Sequence, residues 1–195
     1  MRLMVASDIH GSAYYTQKML DAYSREKCHK LLLLGDILYH GPRNDLPREY
    51  EPKRVIAMLN NVSHELLCVR GNCEADVDQM VLDFPVMAEY AIFYIKGRMI
   101  FATHGHIYNE TVIPKLKKGD ILLHGHTHIP VCKEINDGKN IYMNPGSVSI
   151  PKEGSHHGYM IIDDMSDRDT GITETVKPVA EWKNLDGEVL WNYTL

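Results

Sequence analysis

The feature that most constrains this chain is a series of short apolar runs, each too brief for a helix and each closed by polar residues or glycine. Runs of this kind are typical of strands that are buried on both faces of a sheet. They are Leu3 to Ala6, Leu31 to Leu34, Leu66 to Val69, Ile100 to Ala102, Ile121 to Leu123 and Ile141 to Met143.

Two helical patterns separate the first three runs. Apolar residues recur at helical spacing in both, and a proline, which suits the first turn of a helix, precedes the second. The residues are Tyr15, Met19, Ala22 and Tyr23 in the first pattern, and Val55, Ile56 and Leu59 after Pro52 in the second. This alternation of strand and helix predicts a largely parallel sheet.

The pattern changes after residue 120. Asp137-Gly138 and Asp186-Gly187 each separate two apolar runs, which is typical of β-hairpins. The flanking runs are Val131 to Ile135 and Ile141 to Met143 for the first turn, and Trp182 to Leu185 and Val189 to Trp191 for the second. The second half is therefore predicted to be more antiparallel, and the chain to form two packed sheets.

Length and composition indicate one globular domain over residues 1–195. The chain is 44% hydrophobic and 24% charged, close to the average of soluble domains, and it shows no repeat or linker. Gly41 to Pro52, with three prolines, is predicted to be a surface loop beside the site. Asp163 to Gly171, with five Asp or Arg residues, is predicted to be a solvated turn.

Charge and cysteine usage exclude several classes of function. The net charge of -5 argues against binding of nucleic-acid polymers, because such binding depends on clustered Lys and Arg. The four cysteines form no Cys-x-x-Cys pair, which predicts reduced thiols and a cytoplasmic location. The N-terminal apolar run is too short for a signal peptide or a membrane span, so no membrane association is expected.

Polar side chains follow five of the predicted strands at the point where each strand ends. They include Asp8 and His10, then Asp36, then Asn72, then His104 and His106, and finally His124, His126 and His128. Because ligands bind outside the carboxyl ends of strands in open α/β sheets, these side chains should converge. The alternative is that they form surface turns in which the histidines only support neighbouring residues.

The residue types predict a centre with two metal ions. Asp8 and His10 are two residues apart, so an extended chain would point both at one ion. Asp36 has two carboxylate oxygens and could bridge to a second ion. His126 and His128 would supply one ligand to each ion, with Asn72 and His104 completing the second site. Ligands of this mixture, without thiolate, suit Mn, Fe or Zn.

The charge of such a centre indicates its chemistry. Two divalent ions, two carboxylates and a bridging hydroxide leave a formal +1, which favours an anionic substrate. Ions about 3.5–4 Å apart can activate the bridging water for in-line attack on phosphorus. Phosphoester hydrolysis is therefore predicted. The sequence has neither a Gly-x-Ser-x-Gly elbow nor a P-loop to favour serine hydrolysis or nucleotide triphosphate binding.

These motifs resemble those of the calcineurin-like metallophosphoesterases. The family patterns Asp-x-His, Gly-Asp, Gly-Asn-His-acid, His-Gly-His and Gly-His-x-His read here as Asp8-Ile9-His10, Gly35-Asp36, Gly71-Asn72-Cys73-Glu74, His104-Gly105-His106 and Gly125-His126-Thr127-His128. The resemblance extends to about Lys152. It implies an α/β fold, a four-layer α/β/β/α sandwich of two mixed sheets, with the ions in the crevice between the sheets.

The resemblance also implies the roles of individual residues. The first ion would be held by Asp8, His10, Asp36 and His128, and the second by Asp36, Asn72, His104 and His126. Mn²⁺ is the expected ion, with Fe, Zn or Mg as alternatives, and the expected substrate is a small phosphodiester. Arg43, Asn44, Arg70 and His106 are candidate substrate contacts, and His124 flanks a ligand without matching a ligand position.

Cys73 departs from the family pattern, because most members have there a histidine that protonates the leaving oxygen or contacts the phosphate. With Asn72 and His104 it completes the set of candidate catalytic residues. A thiol is a poorer proton donor than imidazolium near neutral pH. We therefore expect cleavage of activated, for example aryl, phosphodiesters in preference to alkyl phosphomonoesters. The alternative is that Cys73 is a small thiol that only fills space.

Two other functions stay open at this point. Some proteins of this fold resemble interaction scaffolds that have lost their ligands, although all seven ligand positions are filled here. Hydrolysis of a cyclic or other small nucleotide diester is the second. A homo-oligomer is also an option, with the loop after Asp36 and the aromatic residues Trp182, Trp191 and Tyr193 as candidate interface.

Overall fold

The structure, a computed structural model, describes residues 1–165 and 177–195. The described residues form eleven strands and three helices. The strands are β1 (Arg2–Ala6), β2 (Lys30–Leu33), β3 (Leu66–Cys68), β4 (Tyr90–Ile95), β5 (Arg98–Thr103), β6 (Ile121–Leu123), β7 (Val131–Ile135), β8 (Asn140–Asn144), β9 (Gly158–Asp163), β10 (Val179–Asn184) and β11 (Val189–Thr194). The helices are α1 (Ala13–Glu26), α2 (Pro52–Asn60) and the single turn α3 (Asp76–Gln79), and a 3₁₀ turn spans Ser63–Glu65.

The strands form two mixed sheets. One has six strands in the order β11-β10-β9-β1-β2-β3, and the other has five in the order β4-β5-β6-β8-β7. The strands β1, β2 and β3 run parallel, as do β5, β6 and β8, while the remaining neighbours pair antiparallel. The carboxyl ends of the parallel strands carry the polar motifs.

Alternate residues of β1 face two different cores, as the pleat of a strand requires. Leu3 and Val5 belong to the core between the two sheets, which also contains Trp182. Met4 and Ala6 belong to the core under α1 and α2. Both faces of the strand are therefore removed from water, which explains its continuous apolar sequence.

Local sequence explains where the two long helices begin and end. The Ser12 hydroxyl caps α1 by accepting a hydrogen bond from the Tyr15 amide, and Lys27 ends the helix in a left-handed conformation. Pro52 occupies the first turn of α2, where its missing N–H costs nothing. The sequence predictions for both helices are confirmed.

The prediction of two mixed sheets is confirmed, as are both hairpins, β7–β8 and β10–β11. The strands β4 and β9 are additions that the apolar runs did not predict. The outer face of the five-stranded sheet is covered by residues 104–120, which are irregular rather than helical.

Two further predictions need correction or lie beyond the described chain. Asp163 ends β9 and is buried, so the solvated turn does not begin there, and residues 166–171 of that segment lie outside the described residues. Trp182 is 1% exposed and its indole N–H donates to the Asn144 carbonyl at 2.6 Å, so this side chain is not available for an interface.

All four cysteines are free thiols, as predicted. Across residues 1–165 and 177–195, no helix has the length and apolar character needed to cross a membrane.

Candidate metal centre

Five of the predicted ligands lie in tight turns at strand ends. The backbone φ angles are 59° at Asp8, 50° at His10, 53° at Asp36, 67° at His126 and 62° at His128, all in the left-handed region that non-glycine residues rarely adopt. The expectation that Asp8 and His10 share an extended segment is wrong. They meet because the chain turns, and such strained backbone is concentrated at functional sites.

Backbone hydrogen bonds hold these turns together. The Asp8 amide donates to the Gly35 carbonyl at 3.1 Å, and the His10 amide donates to the Asp36 carbonyl at 2.9 Å. The turns after β1 and β2 therefore support each other, which offsets the cost of the unusual backbone conformation.

The imidazoles of His10 and His128 face each other with their Nε2 atoms 3.2 Å apart. Nδ1 of His10 lies 2.8 Å from the Tyr39 carbonyl, and Nδ1 of His128 lies 2.8 Å from the Ile150 carbonyl. Because a carbonyl can only accept, each Nδ1 carries the proton, and in a neutral ring Nε2 then has a lone pair. Two lone pairs at this distance repel each other unless a cation lies near both.

A second group of side chains also brings potential ligand atoms close together. Nδ1 of His104 donates to the Leu34 carbonyl at 2.7 Å, so the lone pair of this ring is on Nε2. That atom lies 3.1 Å from Oδ1 of Asn72 and 3.0 Å from Nδ1 of His126. The amide nitrogen of Asn72 donates to Cys73 Sγ at 3.3 Å, which turns its oxygen towards His104.

The two carboxylates are placed between these imidazoles. Oδ1 of Asp8 is buried with no hydrogen-bond partner among the described residues, 3.2 Å from Nε2 of His128. Asp36 reaches both groups, with Oδ2 at 3.7 Å from Nε2 of His10 and Oδ1 at 3.5 Å from Nε2 of His104. A buried carboxylate oxygen without a partner is costly, so the arrangement fits bound cations.

Three overlapping sets of side chains have ligand atoms within 4.8 Å of one another, counted over the described residues. They are Asp8, His10 and His128; Asp36, His104 and His126; and His10, Asp36 and Cys73. The first two sets match the division between two ions that the sequence predicts. The third includes a thiol that the sequence analysis did not count as a ligand.

Burial and charge shift the pKa values of these groups. Burial alone raises the pKa of Asp8, but the contacts with His10 and His128 outweigh it, so this pKa lies well below the usual value. Burial lowers the pKa of His10, and its contact with Asp8 raises it above the usual value. Burial, together with the nearby His104, lowers the pKa of His126 to about 4. His126 is therefore neutral at pH 7 and free to donate a lone pair.

Glu74 supports the backbone turns that carry the ligands, a role that the sequence did not predict. Its carboxylate is buried and accepts hydrogen bonds from the amides of Asp36 at 2.9 Å, Ile37 at 2.7 Å and Gly71 at 2.5 Å. The turns after β2 and β3 are thereby tied together. Gly71 must be a glycine here, because a Cβ atom would lie 2.2 Å from Oδ1 of Asp36.

A cavity of about 400 Å³ opens beside the ligands. Its walls come from the metal-ligand turns, the Gly41–Asn44 part of the predicted surface loop, and Thr127 and Lys152. Arg43 and Asn44 therefore line this cavity. Arg70 and His106 do not line this cavity; the Arg70 guanidinium instead donates to the Glu74 carbonyl at 3.4 Å.

Lys152 also lines the cavity, although no function was predicted for it. One indication was present in the sequence, since the family resemblance extends to about this lysine. His124, in turn, is 1% exposed, stacks on Tyr142 with ring centroids 4.2 Å apart and contacts Glu110, so it belongs neither to the cavity lining nor to the ligand set.

Cys73 lines the cavity and is half-buried. Burial raises the pKa of the Cys73 thiol well above its ordinary value, and the adjacent Asp36 raises it further. The thiol is therefore protonated and uncharged near neutral pH. Unlike an imidazolium, it adds no positive charge to the site.

The fold is that of a phosphoesterase family. Residues 1–167 match the family described as the calcineurin-like phosphoesterase superfamily domain. The chain belongs to this superfamily and is a hydrolase that acts on ester bonds.

Individual relatives agree with the family. The chain is 44% identical over 163 residues to phosphodiesterase YfcE of Escherichia coli (strain K12), covering 84% of this chain and 88% of that protein. The solved structure of this E. coli phosphoesterase superposes with a TM-score of 0.87 and 39% identity, covering 99% of this chain and 98% of that one.

A more distant structure shares the fold alone. Wild-type Vps29 from Entamoeba histolytica, solved in complex with Zn²⁺, matches with a TM-score of 0.57 and 22% identity, covering 100% of this chain and 98% of that one.

Proposed function

We propose that this protein hydrolyses small phosphodiesters with the help of two divalent metal ions. The observation that carries the proposal is the convergence of imidazole lone pairs and the partnerless Asp8 oxygen on a shared space. The membership in a phosphoesterase family and the likeness to a bacterial phosphodiesterase support the reaction class.

The ligands divide between two sites. Asp8, His10, Asp36 and His128 would hold one ion, and Asp36, Asn72, His104 and His126 would hold the other. The buried carboxylate and imidazole donors fit Mn²⁺, Fe, Zn or Mg, of which Mn²⁺ is our expectation. When bound, the two ions supply an activated water and neutralise charge on the phosphoryl oxygens.

The protein side chains provide the remaining functions. The backbone carbonyls at Tyr39, Ile150 and Leu34 keep the ligand tautomers in place, and Glu74 holds the turn that carries Asp36. Arg43 and Asn44 lie beside the ligands, where they can orient the phosphate. The uncharged Cys73 thiol is a weak acid, so an alkoxide leaving group receives little help.

The cavity favours a small substrate. At about 400 Å³ it is within the usual size range of small-molecule sites. A phosphate with its two ester substituents can fit there. The net charge of -5 over the chain disfavours binding of a nucleic-acid polymer.

The test begins with protein stripped of metal by chelation. Mn, Fe, Zn or Mg is restored separately, and hydrolysis of bis(p-nitrophenyl) phosphate is measured together with the metal content per chain. We expect rescue by at least one ion, with two ions bound per chain.

Asp36→Asn is the critical variant because Asp36 contacts both groups of ligands. It should lose metal and nearly all activity, whereas Asp137→Asn, an exposed aspartate in the β7–β8 turn, should behave as wild type. If no ion restores hydrolysis, the proposed reaction is wrong. If Asp36→Asn keeps both ions, the bridging assignment is wrong.

A further inference from the structure

A lysine outside the ligand set lies at the wall of the cavity. Lys152 lines the same space as His126, His128 and Arg43. Neither Lys152 nor Arg43 forms an ion pair with any described carboxylate, although the chain has a net charge of -5. Lys152 is exposed, so its unpaired ammonium group is available to a ligand that enters the cavity.

The position of Lys152 is set by the metal-ligand turn itself. Its amide donates to the His128 carbonyl at 3.1 Å, and two residues earlier the Ile150 carbonyl accepts from Nδ1 of His128. The Lys152 carbonyl in turn accepts from the amide of Ser155 at 3.0 Å and from its hydroxyl at 2.6 Å. The backbone is thus fixed relative to His128, while the long side chain can adjust to a bound group.

The balance of charge around the cavity points to an anion beyond the reacting phosphate. Apart from histidines, the charged residues known to line it are Asp36, Arg43 and Lys152. The oxygens of Asp36 are directed to the histidines and to the Cys73 amide, at 2.9 Å for the latter. A diester phosphate carries a single negative charge, which the metal ions of the proposed centre would neutralise. Because Arg43 can orient the reacting phosphate, the positive charge of Lys152 is left for a second anionic group of the substrate.

We propose that Lys152 determines specificity by binding a second anionic group, a carboxylate or phosphate. This group would lie on the arm of the diester that is not released, that is, on the ester substituent that stays attached to the phosphate after hydrolysis. This inference rests on the proposed function. It narrows the substrate class to diesters with one charged arm, and makes Lys152 a substrate-binding residue.

Two synthetic diesters that share a leaving group test the proposal. Butyl p-nitrophenyl phosphate has a neutral arm, and 3-carboxypropyl p-nitrophenyl phosphate has an anionic arm of similar length. The metal-loaded wild-type protein should prefer the carboxylate by about two- to fivefold in kcat/KM, the range of a partly exposed charge pair. The preference should shrink at high salt because the interaction is screened.

Variants of one residue separate charge from shape. Lys152→Ala should bring the ratio of the two kcat/KM values close to one, with the loss carried by KM of the carboxylate substrate. Lys152→Arg should keep the preference, and Lys152→Glu should reverse it. Lys53→Ala removes an exposed lysine of α2 and is the matched control, with the ratio of wild type.

The outcomes distinguish the proposed role of Lys152 from the proposed hydrolysis of phosphodiesters. Calorimetric titration with the products 3-carboxypropyl phosphate and butyl phosphate gives a readout that does not depend on turnover. Stronger binding of the carboxylate product that is lost in Lys152→Ala, without hydrolysis of either diester, would support Lys152 and overturn the proposed reaction. Hydrolysis of both diesters with one ratio in wild type, Lys152→Ala and Lys152→Glu would overturn the role of Lys152 alone.

Discussion

His10 and His128 are 118 residues apart in the chain, yet their Nε2 atoms are 3.2 Å apart. Each ring is oriented by a hydrogen bond that its Nδ1–H donates to a backbone carbonyl, that of Tyr39 for His10 and that of Ile150 for His128, so that Nε2 faces the other ring. The fold thus holds two potential ligand atoms close together. In the proposed metal centre, a cation near both atoms would offset the repulsion between them.

The first prediction concerns the coupling between metal and stability. An ion at 100 times its dissociation constant stabilises the folded state by about 2.7 kcal/mol, which for a chain of this size is a rise of roughly 5–10 °C in the unfolding midpoint. Adding Mn²⁺ should produce such a rise in wild type and at most half of it in His128→Ala. Thermal unfolding of the metal-free and Mn-loaded proteins measures this.

The matched control is His64→Ala, which removes an exposed histidine remote from the ligands. It should keep the full metal-dependent rise. An equal rise in His128→Ala and His64→Ala would contradict the assignment of His128 as a ligand.

The second prediction concerns Glu74. Glutamine keeps the shape of the side chain, but its NH2 group cannot accept a hydrogen bond, so at least one of the three amides that the carboxylate binds loses its acceptor. We expect Glu74→Gln to lower the free energy of unfolding by about 1–3 kcal/mol and to weaken metal binding through displacement of Asp36. Denaturant titration and metal content measure the two effects, with the exposed Glu134→Gln as control. Wild-type values of both would show that Glu74 does not position Asp36.

The third prediction concerns the leaving group. Because the Cys73 thiol stays uncharged, wild type should favour aryl diesters over alkyl monoesters. Cys73→His restores an imidazole that can donate a proton, so it should raise kcat for a poor leaving group by about 10²-fold at most and change aryl diester hydrolysis much less. Kinetics on both substrates compare wild type, Cys73→His and Cys73→Ser. An identical preference in all three proteins would assign Cys73 to packing.

The fourth prediction concerns acid stability. Burial alone would raise the pKa of Glu26, but Nζ of Lys183 at 2.8 Å and the Tyr159 hydroxyl at 2.8 Å stabilise the carboxylate, so the pKa in the folded protein lies below the usual value. A carboxylate of this kind stabilises the fold above its unfolded-state pKa of about 4.3. That stabilisation is lost as the pH falls through the folded pKa.

The free energy of unfolding of wild type should therefore decline below about pH 4.3 more steeply than that of Glu26→Gln, which is already less stable at pH 7. Urea unfolding at pH values from 7 to 3 measures both curves, and Glu134→Gln should follow wild type. Parallel curves for wild type and Glu26→Gln would mean that Glu26 is not the titrating group.

The sequence by itself determined most of the strands, both hairpins and the residue types from which the candidate site is built. Strands such as β1 are recognisable because burial on both faces requires continuous apolar residues, and the hairpins because Asp-Gly suits their turns. The motifs around Asp8, Asp36 and His128 were visible because strand ends point to one edge of a sheet. β9 was missed, and its last residue, Asp163, was assigned instead to the solvated turn that follows.

Only the tertiary structure decided the geometry. The left-handed backbone at Asp8 and His10 depends on hydrogen bonds to Gly35 and Asp36, which are distant in sequence, so no local pattern predicts it. The support from Glu74 and the position of Lys152 beside His128 likewise arise from contacts between separate turns. Residue types state which ions and substrates a chain can bind, but protonation, orientation and distance are set by what packs around them.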